Sequence, residues 1–209
     1  MRIEYFYALA SPWSFLGQRE LLRIAARHGA EVVPILVDYD HMFEAAGTVP
    51  LPKRPQARKD YRQVELRRWS AFRQVPLNPR PRFYNGEVSE PDESEAARMV
   101  VAALRAGLDG LGLSYAIMRA VWAEERFPFE RGELLAIAGA LGMDGAALLA
   151  QAETPAIRAA YEANTAHAIR RGVFGMPTYI VDEGDIFWGQ DRLEMLDWCL
   201  AHGMTKTSG

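Results

Sequence analysis

Tyr5-Phe-Tyr-Ala-Leu-Ala-Ser-Pro-Trp-Ser-Phe-Leu-Gly17 is the stretch whose reading decides the fold. Its first residues belong to Arg2-Ile-Glu-Tyr-Phe-Tyr7, a run of aromatic and β-branched side chains that predicts a short strand. A turn follows at Ala8–Ser11, and Pro12 through His28 reads as a helix. Ser11 can cap it, Pro12 suits its first position, and His28-Gly29 ends it with a basic residue and a glycine stop. Glu31-Val-Val-Pro-Ile-Leu-Val37 is then an apolar run of strand length. The opening is therefore β-α-β within about 37 residues, the size of a parallel crossover unit.

Further along, the prolines Pro50, Pro52 and Pro55 break the chain before a helical segment over residues 56–73. At about 100° per residue, Tyr61, Val64, Trp69 and Phe72 share one side of it, which predicts an apolar stripe and a basic outer face. From Pro91 to Gly172 the chain is rich in Ala and Leu, with breaks that predict four or five short helices. Strands return at Thr178-Tyr-Ile-Val181 and Ile186-Phe-Trp188, joined by the tight turn Asp182-Glu-Gly-Asp185. A final helix over Asp191 to His202 buries Leu193, Leu196 and Leu200, and the tail Thr205–Gly209 frays.

The 209 residues carry 27 acids and 24 bases, a net charge of −3. Residues 53–82 hold ten of those bases against Asp60 and Glu65, so this segment is +8 and the remainder −11. A patch of that kind steers anionic small molecules or serves as a solvated helix face; no zinc-finger or RNA-recognition signature accompanies it to suggest nucleic acid. One cysteine, Cys199, excludes a disulfide framework, a cysteine zinc cluster and an intrachain dithiol pair, and reads as a buried small hydrophobe. His28, His41, His167 and His202 show no ligand spacing, so no metal site is expected. Without a leader-like start or a run of apolar residues long enough to span a bilayer, a soluble cytoplasmic protein is expected. Hydrolase elbows, phosphate-binding glycine loops and dinucleotide fingerprints are absent from the sequence.

The order β-α-β, helical stretch, β-β-α, with Pro177 directly before the third strand, matches the thioredoxin pattern, in which the first helix begins at the active site and faces a cis-proline. The positions of that pattern's Cys-x-x-Cys are here Ser11-Pro-Trp-Ser14. Three segments together, Tyr5 to Gly17, Gly172-Val-Phe-Gly-Met-Pro-Thr178 and Phe187-Trp-Gly-Gln-Asp-Arg-Leu193, resemble the kappa-class glutathione transferases and the bacterial 2-hydroxychromene-2-carboxylate isomerases. The resemblance spans nearly the whole chain. It implies an α/β fold: a thioredoxin-like domain of residues 1–40 and 173–209, interrupted by an all-α insertion of residues 41–172.

It also implies glutathione as cofactor and a site for it. A helix N-terminus carries about half a positive charge and unpaired N–H donors, so Ser11 is placed to hold a thiolate with its hydroxyl. As a catalytic residue Ser11 would stabilise the glutathione sulfur; as a plain residue it would only cap the helix. Met176 and Pro177 are implied to form a cis bond that offers the Met176 backbone to the cysteinyl part of the tripeptide. Trp188, Gly189, Gln190 and Asp191 match positions that hold the γ-glutamyl end, Asp191 accepting from its ammonium and Gln190 with the helix N–H groups taking its carboxylate; an N-cap role for Asp191 is equally natural, and both roles can coexist. Trp13, Arg82 and Tyr84 are candidates for the second substrate, and the basic helix suits an anionic one or the glycine carboxylate of glutathione.

One departure stands out. Chromene isomerases of the family carry a lysine and an asparagine after the second strand, whereas residues 37–52 here contain neither, with Glu44 near the lysine position. That points away from the hydroxychromene carboxylate itself and leaves the glutathione positions untouched. The expected activity is a glutathione-dependent isomerisation of a conjugated, aromatic-derived substrate, with glutathione transfer or a redox-inactive peptide-binding module as alternatives; a dithiol oxidoreductase is excluded by Ser11 and Ser14. The kappa-class resemblance implies a homodimer, and neither nucleic acid nor membrane is expected as a partner.

Overall fold

A computed structural model describes residues 1–82 and 92–206. Strand β1 (Arg2–Tyr7), helix α1 (Pro12–His28) and strand β2 (Glu31–Leu36) form the opening unit. Helices α2 (Tyr39–Ala45), α3 (Gln56–Arg73), α4 (Ser94–Arg105), α5 (Gly110–Trp122), α6 (Arg131–Ala140), α7 (Gly145–Ala152) and α8 (Pro155–Arg170) follow. The chain returns through β3 (Thr178–Val181) and β4 (Ile186–Trp188), takes a 3-10 turn at Gln190–Arg192, and ends in α9 (Leu193–His202). The sheet order is β2-β1-β3-β4, with β1 parallel to β2 and both other pairings antiparallel. A parallel neighbour cannot be reached by a tight turn, and α1 supplies the crossover.

Side chains alternate across a strand, and β1 uses both faces. Ile3, Tyr5 and Tyr7 enter the larger core together with α1, α4 and α5, whereas Phe6 enters a smaller one with Ile35, Met42, Ala168 and Ile180. The helical insertion thus shares the core of the sheet rather than building its own. Under α1 the rings of Tyr5 and Tyr7 stack at 4.3 Å, with Tyr179 at 5.6 Å from Tyr5. Burial pushes all three hydroxyls well above the ordinary tyrosine range, so they stay neutral. On the opposite face Glu4 accepts from His167 of α8 at 2.8 Å.

The strands, α1, the five helices of residues 92–172 and the hairpin match the sequence expectations. Ser11 caps α1, its Oγ accepting from the Ser14 N–H at 3.2 Å, and Gly29 closes it at φ +61°. Two expectations are corrected. The stripe Tyr61, Val64 and Phe72 of α3 is exposed, Tyr61 and Phe72 by more than 60 %. The inward seam of α3 is instead Arg58, Arg62, Leu66, Trp69 and Arg73, five positions that fall within about 80° at 100° per residue. Only Leu66 of that helix is buried. The reason is that α3 flanks an open cleft, so its inner face need not be apolar. At the other end, Asp191 caps nothing: it lies inside the 3-10 turn, and Arg192 holds the N-cap position of α9 without a side-chain bond.

Ser14, at the second position of the former dithiol pair, is fully buried, and its Oγ has no hydrogen-bond partner among the described residues. A buried hydroxyl without a partner costs about 1–3 kcal/mol. Ser14→Ala is therefore expected to leave stability unchanged or raise it by about 1 kcal/mol, read as a higher melting temperature; a clear loss would mean that this hydroxyl has a partner in solution.

Candidate active site

The N-terminus of α1 opens onto a cleft between the sheet edge and α3. Its outer part encloses about 640 Å³ and its inner part about 370 Å³. Trp13, Arg54, Arg58, Tyr61, Arg62, Met176 and Trp188 line both, so the two parts form one continuous site. Ser11 lies on the outer part, and Gly189, Gln190 and Asp191 on the inner. The start of α1 meets the segments around Met176 and Gln190, more than a hundred residues further along the chain, because β1, β3 and β4 are neighbours in the sheet.

Ser11 is 4 % exposed. Its Oγ accepts the Ser14 N–H, and its own hydroxyl proton has no acceptor among the described residues. A hydroxyl carries one donor and two acceptor lone pairs, so capping the helix and donating to a ligand are compatible. The capping reading and the catalytic reading of Ser11 therefore coexist in one geometry.

The Met176–Pro177 peptide is cis. Met176 forms part of the cleft wall, and the Pro177 carbonyl accepts from the Gly189 N–H at 2.9 Å, which ties the proline to the start of the last helical segment. Gly189 adopts φ +102°, and a Cβ there would sit 2.3 Å from Asp191 Oδ1, so only glycine lets the chain turn from β4 into the 3-10 turn. The Asp191 carboxylate is paired with Arg192 at 2.8 Å. Trp188 is half exposed and meets Phe174 edge to face at 4.9 Å.

The structure puts Ser11, Trp13, Met176, Trp188, Gly189, Gln190 and Asp191 around one cleft. Arg82 is not among its lining residues; it is exposed and pairs with Glu125 at 3.6 Å. Tyr84 lies outside the described residues. In place of Arg82, the cations on the wall are Arg54, just before α3, Arg58 and Arg62, one helical turn apart on α3, and Arg192, which is paired with Asp191. Arg54 donates to the Val49 carbonyl at 2.8 Å and lies over the Phe43 ring; Arg62 lies over the Trp122 ring. The Arg58 side chain has no hydrogen bond, ion pair or ring contact with the described residues, while its backbone N–H donates to the Pro55 carbonyl. The i, i+4 spacing of Arg58 and Arg62 was the signal for this wall, and it is hidden in the sequence by the excess of other bases on the same helix.

The histidines serve the scaffold. His28 meets Asp197 at 2.7 Å, His167 meets Glu4, and His202 meets the Trp198 carbonyl. No group of three metal-ligating side chains occurs among the described residues. Cys199 is buried on α9, away from the cleft, and burial pushes its thiol up, so it is a poor nucleophile at neutral pH. Among the described residues no helix is long and apolar enough to cross a membrane.

Comparison with known proteins agrees with the fold. The model of the DSBA-like thioredoxin domain matches residues 2–201. A 2-hydroxychromene-2-carboxylate isomerase of Sphingobium xenophagum is 29 % identical over 200 residues, 93 % of this chain and 95 % of that protein. Its counterpart from Pseudomonas putida is 28 % identical, covering 94 % and 93 % of the two chains. The solved structure of a 2-hydroxychromene-2-carboxylate isomerase superposes with a TM-score of 0.80 at 27 % identity, over 97 % of this chain and 95 % of that one.

Proposed function

The chain belongs to the DSBA-like thioredoxin domain family, and from that premise we propose that it is an isomerase that uses glutathione to interconvert a planar, anionic, aromatic-derived substrate. The observation that carries the reading is the uncommitted hydroxyl proton of Ser11 at the N-terminus of α1, facing a cleft walled by aromatic rings and arginines. Bound there, glutathione would supply a soft sulfur nucleophile, the chemistry needed for reversible addition to a conjugated carbon–carbon double bond and rotation about the single bond so formed.

The residues of this chain fit that role. Ser11 donates its hydroxyl hydrogen bond to the sulfur, and the positive end of the α1 dipole favours its anionic form. Because the Ser14 N–H already holds Oγ in place, the donor is oriented before a ligand arrives. Met176, Gln190 and Asp191 flank the cysteinyl and γ-glutamyl positions. Trp13, Phe174 and Trp188 give flat apolar surface for an aromatic body, and Arg58 is the cation available for a carboxylate.

Calorimetry with reduced glutathione tests the reading. Heat of binding at millimolar ligand is expected, and its absence would overturn the glutathione site. Turnover of conjugated enone carboxylates that returns glutathione unconsumed supports the isomerase; glutathione incorporated into product makes the chain a transferase using the same site. Arg58→Ala is expected to raise KM for an anionic ligand about fivefold with kcat within twofold, the size of an exposed charge-assisted contact. An unchanged KM would remove Arg58 from the site. The homodimer implied by the family resemblance belongs to the same proposal, and sedimentation equilibrium decides it.

A further inference from the structure

Arg73 is the last residue of α3, where a basic side chain usually reaches into solvent. Its side chain is only 6 % exposed, and it crosses to the segment after β4. Nε donates to Gln190 Oε1 at 3.0 Å, and Nη2 donates to the Gln190 backbone carbonyl at 2.8 Å. Nη1 and Nη2 also grip both oxygens of Glu194, the latter at 3.1 Å. The Trp69 and Phe72 rings flank the guanidinium at 5.1 and 5.4 Å. With Glu194 cancelling its charge and Gln190 occupying its remaining directions, Arg73 has little left to offer a ligand directly.

Its effect on Gln190 is more specific. A guanidinium only donates, whereas a carboxamide presents an acceptor at one end and two donors at the other. Arg73 therefore dictates which end of the amide points toward it: Oε1 faces Arg73, and Nε2 is turned the other way. Nε2 donates to no group among the described residues, and Gln190 forms part of the inner cleft wall beside Asp191. Without Arg73 the amide has no reason to prefer one orientation, and its oxygen would as readily face the cleft.

We propose that Arg73 is a positioning residue that locks the polarity of the Gln190 carboxamide, so that Nε2 presents N–H donors to the α-carboxylate at the γ-glutamyl end of bound glutathione. This rests on the glutathione reading given above. It makes the C-terminal turn of α3 part of the recognition of a group reached by a part of the cleft that Arg73 itself does not line, and it joins the helical insertion to the thioredoxin-like half at the site.

Discrimination between glutathione and its analogue lacking the α-carboxylate, 4-aminobutanoyl-cysteinylglycine, tests the assignment. The unsubstituted protein should bind glutathione about tenfold more tightly than the analogue, the worth of one charge-assisted hydrogen bond. In Arg73→Met and in Gln190→Glu that preference should fall to about twofold or less, with affinity for the analogue kept within twofold. Gln190→Glu keeps an acceptor for Arg73 while removing the donors, so it remains informative if Arg73→Met folds poorly. Equal weakening of both ligands in Arg73→Met would make Arg73 a structural strut only, and full discrimination in Gln190→Glu would remove Gln190 from carboxylate recognition; either overturns the assignment while leaving the glutathione reading intact. No binding of glutathione or analogue by the unsubstituted protein overturns the functional reading, and this assignment with it.

Discussion

Replacing Ser11 with alanine is expected to lower glutathione-dependent turnover about a hundredfold, the usual consequence of deleting one preorganised donor to a developing or resident anion. The same substitution removes the N-cap of α1 and costs about 1 kcal/mol of stability, a shift of about 2–4 °C in melting temperature for a chain of this size. The two effects separate in Ser11→Asp, in which a carboxylate still accepts the Ser14 N–H and caps the helix but cannot donate to a thiolate and repels it. Ser11→Asp should therefore melt like the unsubstituted protein and be nearly inactive.

The pH profile carries the sign of the same interaction. A hydrogen bond donated to a thiolate favours the charged form and lowers its pKa below the free value of about 8.5. Losing the donor raises it again, so the acid limb of the rate profile moves to higher pH in Ser11→Ala. A limb that stays in place would show that the serine hydroxyl does not touch the sulfur, and a turnover unchanged by Ser11→Ala would reduce Ser11 to a cap.

Gly17→Val should be the most damaging single substitution on α1, at about 3 kcal/mol or more. Even one added carbon at Gly17 would lie 2.8 Å from Gln190 Cβ and 2.9 Å from the Tyr179 hydroxyl. Valine adds two methyl groups to that clash and a β-branch to a helix interior, and overpacking of a tight contact costs about 1–3 kcal/mol before the branch is counted. The neighbour that must move is Gln190, so glutathione affinity should fall together with stability. Gly17→Ala tests the same contact more gently: its Cβ still meets Gln190 Cβ at 2.8 Å, and about 1 kcal/mol of helix propensity offsets only part of the overpacking, so a loss of about 1–2 kcal/mol with weakened glutathione binding is expected. A Gly17→Val protein with undiminished melting temperature would show that α1 and the 3-10 turn are not in contact in solution.

Much of the scaffold was legible without coordinates because its signals are local. The aromatic and β-branched run Arg2–Tyr7, the Ser-Pro start of α1, the glycine after His28 and the turn at Asp182–Asp185 each act over a few residues. Helix α3 was legible in extent and not in orientation. Periodicity identifies a stripe, and it reports burial only when one face of the helix meets a core. Here Tyr61, Val64 and Phe72 stay exposed, Tyr61 at the cleft, and the seam toward the body is arginine with Leu66 and Trp69. Arg82 was placed near the substrate on the strength of resemblance, yet its partner is Glu125, because the connection after α3 runs toward the end of α5.

The sequence by itself missed the short helix α2 but determined the order of the strands and of the longer helices, the hydroxyls of Ser11 and Ser14 at the positions of the thiol pair, and the single cysteine placed far from them at Cys199. Those are properties of residue identity and short-range chemistry. Only the tertiary structure decided that Ser11, Met176 and Gln190 share a cleft, that Arg58 stands uncommitted on its wall while Arg73 is consumed by Gln190 and Glu194, and that Gly17 exists to let the last segment approach α1. Such relations depend on which chains a sheet of order β2-β1-β3-β4 brings side by side. Two arginines fifteen positions apart on one helix face look alike in the sequence; the surroundings that the fold supplies give them different work.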